Sequence, residues 1–169
     1  DRGPNADAGS HPLATGSTLV FPFPDYAPKV FHTKARNGAL QILGITPITR
    51  PDQQPASGPP LPVDQGNTGE TPWSDTPATV LPNDAWGIDS EGLVIGNNGE
   101  AWICEEYATS VWHLDTAYRA LERYTPFAQE PQDMAIDSIY GKRRPNRGFE
   151  GVAYTPNGRI YAIVQNQLN

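Results

Sequence analysis

Cysteine, histidine and positive charge are all scarce in this 169-residue sequence, and each scarcity excludes a class of chemistry. A single cysteine, Cys104, rules out an internal disulfide and a thiolate zinc cluster. The three histidines, His11, His32 and His113, are scattered and offer no close ligand pair, so any bound metal is expected to be held by oxygen. Twelve Lys and Arg against 19 Asp and Glu leave a net charge of −7, which repels nucleic acid and anionic lipid, and neither is expected as a partner. No apolar run approaches the ~18 residues of a membrane span. The opening Asp1-Arg2-Gly3-Pro4-Asn5 shows neither an initiator Met nor a signal-peptide pattern and is expected to lie inside a longer polypeptide.

What the sequence has in plenty is Pro and Gly, 18 and 16 residues, together about a fifth of all positions. That excludes a helical bundle and points to a loop-rich, all-β fold. The chain also repeats itself. Glu91-Gly92-Leu93-Val94-Ile95, Asn97-Asn98-Gly99 and Ala101-Trp102-Ile103 align without gaps to Glu150-Gly151-Val152-Ala153-Tyr154, Pro156-Asn157-Gly158 and Ile160-Tyr161-Ala162. Each copy is an apolar strand, an Asn/Gly turn and a second apolar strand, the pattern of a β-hairpin. After the first copy, Ser110 to Leu114 and Ala120 to Tyr124 supply two more strands around Asp115-Thr116-Ala117-Tyr118.

A four-stranded meander that recurs along a chain is how a β-propeller blade reads. The expected architecture is a propeller fragment. Residues 88–124 form one complete blade, 148–169 the inner hairpin of the next, and 1–48 the end of a preceding blade with its connecting loops. Residues 49–87, with eight prolines between Pro51 and Pro82, form a Pro-rich insertion that is either a flexible loop or a lid over a site. A second insertion, 125–147, carries a basic cluster and is expected to hold a short helix around Gln132 to Ile139. Such a chain needs the remainder of the propeller, in the same or another polypeptide, to cover its sheets.

Regular hairpin pairing places Glu91 opposite Glu105, with Glu106 one step further, so the three converge at one hairpin mouth. In the second copy Glu150 comes beside Val164 and Gln165, and the corresponding strand ends of adjacent blades make Glu91 and Glu150 neighbours. Carboxylates gathered in this way raise one another's pKa or are neutralised by a cation. Ca²⁺, which takes 6–8 oxygen ligands, suits the supply, with Gln165 and Asn166 in reach. The competing reading is that Glu91 and Glu150 only accept local backbone N–H bonds. Asp1, Asn5 and Asp7 are further ligand candidates and Arg2 a phosphate-binding one, unless the segment is a solvated terminus. Lys142, Arg143, Arg144 and Arg147 are the one basic cluster. They are candidates to meet an anionic substrate, or else a solvated loop paired with Asp133 and Asp137. Cys104, His32, His113 and the four tryptophans read as structural, and neither a nucleophile elbow nor a phosphate loop is present.

Asp1-Arg2-Gly3-Pro4-Asn5, Trp86-Gly87-Ile88-Asp89-Ser90-Glu91-Gly92, Glu105-Glu106-Tyr107 and Asn146-Arg147-Gly148-Phe149-Glu150-Gly151 together resemble the phytase-like family, described by an esterase-like activity of phytase. The resemblance implies a β-propeller exported to the periplasm or the cell exterior. It implies that Asp1, Glu91, Glu106 and Glu150 carry phosphoester hydrolysis, with Arg2 and Arg147 as basic companions. The family often reads Asp-Glu-Tyr followed by Gly-Pro-Ser where Glu105-Glu106-Tyr107 and Ala108-Thr109-Ser110 stand here. The expected function is a Ca²⁺-dependent phosphoric ester hydrolase acting on a small anionic phosphoester through metal-bound water. Its metal ligands are drawn from Asp1, Glu91, Glu105, Glu106 and Glu150, with Glu106 or Glu150 as ligand or general base. Arg147 completes the catalytic set, and Arg2, Lys142, Arg143 and Arg144 bind substrate. The alternatives are a non-catalytic, Ca²⁺-stabilised binding propeller and a lactonase-like hydrolase.

Overall fold

The computed structural model describes residues 2–7, 18–75 and 79–169, and among them the chain is all-β with two short 3-10 turns. Its centre is an antiparallel meander of β6 (Ser90–Ile95), β7 (Ala101–Glu105), β8 (Ser110–Leu114) and β9 (Ala120–Thr125). Turn chemistry fixes its connections. Gly99 takes φ 84° in the β6–β7 turn, closed by the Gly96 amide donating to the Glu100 carbonyl at 2.8 Å. The Asp115 carboxylate accepts from the amides of Ala117 and Arg119 at the β8–β9 turn.

A further strand, β10 (Asp133–Ala135), adds parallel to β9, and a 3-10 turn follows at Ser138–Lys142. The helix expected around Gln132 to Ile139 is therefore not formed. Both oxygens of Asp133 bind the Arg123 guanidinium, at 2.7 and 2.9 Å, which holds the segment extended against β9. Asp137 caps only the 3-10 turn, accepting from the Ile139 amide.

The meander is covered on both faces. On one, Ile88, Ile103, Trp112 and Leu114 pack with Ile48, Tyr118 and, from the Pro-rich stretch, Ala56 and Trp86. Each fully buried aliphatic side chain there contributes roughly 1.5–3 kcal/mol. On the other, Cys104 and Val111 meet Phe149, Val152 and Ile160 of a second hairpin, β11 (Phe149–Tyr154) and β12 (Ile160–Val164), so that β11 lies across β6 and β7.

The remaining strands are β1 (Ala6–Asp7), β2 (Thr18–Phe21), β3 (Lys29–Arg36), β4 (Ala39–Pro47) and β5 (Thr71–Ser74). β3 and β4 form a long hairpin around Asn37 and Gly38, both at positive φ. β5 belongs to the Pro-rich stretch and pairs parallel with β2 at the edge of a three-stranded sheet, the position where Pro72 removes no needed donor.

Regular pairing fails at one point in each copy of the repeat. β6 and β7 pair from Ile95↔Ala101 to Gly92↔Cys104, then shift to Ser90↔Glu105. β11 and β12 pair from Tyr154↔Ile160 to Gly151↔Ile163, then shift to Phe149↔Val164. Glu91 and Glu150 are thus each the extra residue of a β-bulge, and Glu91 does not stand opposite Glu105 as even pairing requires.

Candidate functional site

The bulge in β6 re-aims Glu91 toward the end of β7, where the chain leaves the sheet at Glu106. Asp89 stands just before β6, and its carbonyl accepts the Glu106 amide at 3.0 Å, tying the two chain ends together. As a result one carboxylate oxygen from each of Asp89, Glu91 and Glu106 lies within 4.8 Å of the other two. Asp89 and Glu106 are buried while Glu91 is exposed, so the group is open on one side. Asp89 was not among the sequence candidates; its signal was the Asp-Ser-Glu spacing immediately ahead of a strand.

The electrostatics follow from this crowding. Burial pushes the Glu106 carboxyl up to about 7, helped by Asp89, Glu150 and Glu91, while Arg147 acts the other way. Burial also raises the Glu91 carboxyl, with Asp89 and Glu150 adding to it. Asp89 is raised by burial against the pull of Arg2. Glu150 therefore acts on Glu91 and Glu106 through its charge without joining the three-oxygen group.

Two arginines face these acids. Arg2 is nearly enclosed: its amide donates to Asp89 Oδ1 at 3.1 Å, its Nε lies 3.3 Å from Asp89 Oδ2, and its Nη1 reaches Glu70 and the Tyr107 hydroxyl. Tyr107 in turn donates to the Gly58 carbonyl at 3.0 Å, so the Pro-rich stretch supports the site from behind. Arg147 is half exposed, with Nη1 3.4 Å from Glu106 Oε1 and 2.6 Å from the Asn146 carbonyl. Gly148 brings this segment in: a Cβ there would fall 2.2 Å from the Glu106 carbonyl oxygen.

The other sequence candidates lie elsewhere. Glu105 is buried with its carboxylate accepting from the amides of Tyr107, Ala108 and Ser110 and from the Ser110 hydroxyl. It closes the turn into β8 and is outside the three-oxygen group. Burial raises its pKa, while those donors favour the anion. Arg143 is buried over the Phe127 ring and donates to the Tyr107 and Gly66 carbonyls. Lys142 and Arg144 are exposed. Asp133 and Asp137 serve Arg123 and the 3-10 turn and not the basic cluster. Asn5 donates to the Gly3 carbonyl, Gln165 and Asn166 are exposed, and Asp1 lies outside the described residues.

Oxygens on opposite sides of one ion at ~2.4 Å, a usual Ca²⁺ distance, would stand about 4.8 Å apart. The three carboxylates meet that limit, and the set is all hard oxygen, which fits Ca²⁺ in preference to softer metals.

The family model described as "Phytase-like: Esterase-like activity of phytase" matches residues 13–169. An uncharacterized secreted protein of Arthroderma benhamiae is 28% identical over 170 residues, covering 79% of this chain and 32% of that protein. The chain thus spans about a third of the length of that relative. No solved structure matches significantly.

Proposed function

The chain belongs to the phytase-like family, and on that premise we propose that it supplies the acidic site of a Ca²⁺-dependent phosphoric ester hydrolase built as part of a β-propeller. The observation that carries the reading is the convergence of Asp89, Glu91 and Glu106 at the paired ends of β6 and β7. The hairpin of β11 and β12, stacked on β6 and β7 and repeating their bulge, supports the propeller part. The description of the relative as secreted supports an extracellular location.

Asp89, Glu91 and Glu106 would hold Ca²⁺, with Glu150 adding negative field. When bound, the ion supplies charge neutralisation and polarises a phosphoryl oxygen. With Glu106 taken by the ion, Glu150, which stands close enough to act on Glu106 and Glu91 through its charge, is the carboxylate left to serve a water as general base. Arg147, half exposed at the rim, is placed to meet a phosphoryl oxygen with its free N–H groups. Arg2 keeps Asp89 oriented and shares its charge with Glu70. Of the basic candidates, Arg2 and Arg143 are thus engaged internally, which favours, as second reading, a propeller that binds Ca²⁺ for rigidity alone.

Calorimetric titration with Ca²⁺, together with turnover of phytate and of a simple phosphodiester with and without the ion, separates the two. The hydrolase reading expects Ca²⁺ binding, metal-dependent turnover, and loss of both in Glu91→Gln and Glu106→Gln. Binding without turnover of either ester leaves the rigidifying role. No binding refutes both.

A further inference from the structure

We infer that the ester this site takes carries one phosphoryl group on an apolar, ring-sized leaving group, and is not a densely phosphorylated polyol. The inference rests on the hydrolase reading and adds the substrate class.

Glu91 belongs to two places at once. One of its carboxylate oxygens is in the three-acid group, and the residue also lines a cleft of about 230 Å³ between β3 and β6. The floor of that cleft is Ile48 and Ile103, each 2% exposed, and its walls are Phe31 and Leu93, about half exposed. Lys29 is the one cation in the lining. A cavity of about 150 Å³ lined by aliphatic and aromatic groups is enough to hold benzene, so this cleft accommodates a single substituted ring. A phosphoryl group at the acids would place its leaving group along Glu91 into the cleft.

Charge weighs against the alternative. Asp89, Glu91 and Glu150 bear on Glu106, and among the described residues the basic groups acting on these acids include Arg2, already shared with Glu70, Arg143, held by the Tyr107 and Gly66 carbonyls, and Arg147. A single phosphoryl group can be balanced by one bound divalent ion and Arg147. Several further phosphates would face carboxylates and the apolar walls of Phe31 and Leu93, with Lys29 the one cation in the cleft's lining. In the step itself a water oxygen bonds to phosphorus and gives one proton to Glu150. The phosphorus–oxygen bond to the leaving group breaks, the departing oxygen takes a proton from solvent, and Glu150 releases its own to solvent.

Steady-state turnover of bis(4-nitrophenyl) phosphate and of phytate, at pH 8 with 1 mM Ca²⁺, tests this with the wild-type chain and its Phe31→Ala and Leu93→Ala variants. The diester is expected to be the better substrate. Each variant should raise its KM on the order of tenfold, from lost apolar contact, with kcat and any phytate turnover within twofold. Phe31 and Leu93 are half exposed, so melting temperatures should hold. The comparison between variants cancels the intrinsic reactivity of nitrophenyl esters. Phytate turned over as well as the diester, or a diester KM unmoved in both variants, overturns the inference and leaves the hydrolase reading standing. Turnover of neither ester overturns that reading and the inference with it.

Discussion

Replacing Glu106 by Gln should make the metal-free protein more stable in alkali and indifferent to Ca²⁺. A carboxyl raised from 4.5 to about 7 in the folded state binds its proton more tightly there than in the unfolded chain. The stabilisation is complete below about 4.5 and is lost as pH rises through about 7, the reverse of a salt-bridged carboxylate. A shift of that size corresponds to about 3 kcal/mol, or about 6–12 °C in melting temperature for a chain of this length. Asp89 and Glu91 are raised too and act in the same direction. Thermal unfolding followed by circular dichroism from pH 4.5 to 8.5 in a chelator reads the effect directly. The wild type should fall by that amount relative to Glu106→Gln. Added Ca²⁺ should reverse the loss above pH 7, by about 2.7 kcal/mol at a hundred times Kd, and do little near pH 5, where it must displace the proton. Parallel pH profiles for the two proteins would refute the account of Glu106.

Other substitutions test the framework around the acids. Glu105→Ala leaves three buried amides and a hydroxyl without their acceptor; a loss of about 3–5 kcal/mol by denaturant unfolding is expected, and a drop under 1 kcal/mol would show that the carboxylate is dispensable to the turn. Gly148→Ala puts a methyl where the Glu106 carbonyl lies, so Ca²⁺ affinity measured by calorimetry should fall at least tenfold while far-ultraviolet dichroism is kept. Asp133→Ala strips the carboxylate from Arg123, which is 2% exposed beneath Trp86 and keeps only neutral acceptors such as the Ala85 carbonyl; about 3–5 kcal/mol should be lost. The Cys104 thiol, pushed up to about 12 chiefly by burial, should stay unreactive toward a disulfide reagent at pH 8 until denaturant is added.

The strands of the meander were legible because apolar residues alternate between Asn- and Gly-bearing turns, and both signals are local. What was hidden depends on partners distant in sequence. Nothing near Asp133 announces that Arg123 will draw it into a parallel strand, and nothing near Glu105 shows that the Tyr107–Ser110 backbone will fold back onto its carboxylate. Arg2 and Arg143 read as free cations until the carbonyls and acids that occupy them are brought alongside by other segments.

The site turns on a one-residue irregularity that the sequence does carry, in the dipeptides Glu91-Gly92 and Glu150-Gly151. Even pairing would use Glu91 against Glu105; the bulge instead leaves Glu91 unopposed beside Asp89 and Glu106. The glycine that follows is favoured by tight packing. A Cβ on Gly92 would sit 3.0 Å from Cys104 Sγ and 3.1 Å from the Val152 amide, and one on Gly151 would sit 3.2 Å from Ile163 Cγ2. Close approach of the next hairpin at Gly92, and of the facing strand's side chain at Gly151, favours the bare backbone, and the bulge beside it turns the preceding glutamate out of the ladder. A glutamate followed by glycine at the same place in both hairpins therefore marks where pairing breaks. That break, and not the regular register, is what gathers the carboxylates.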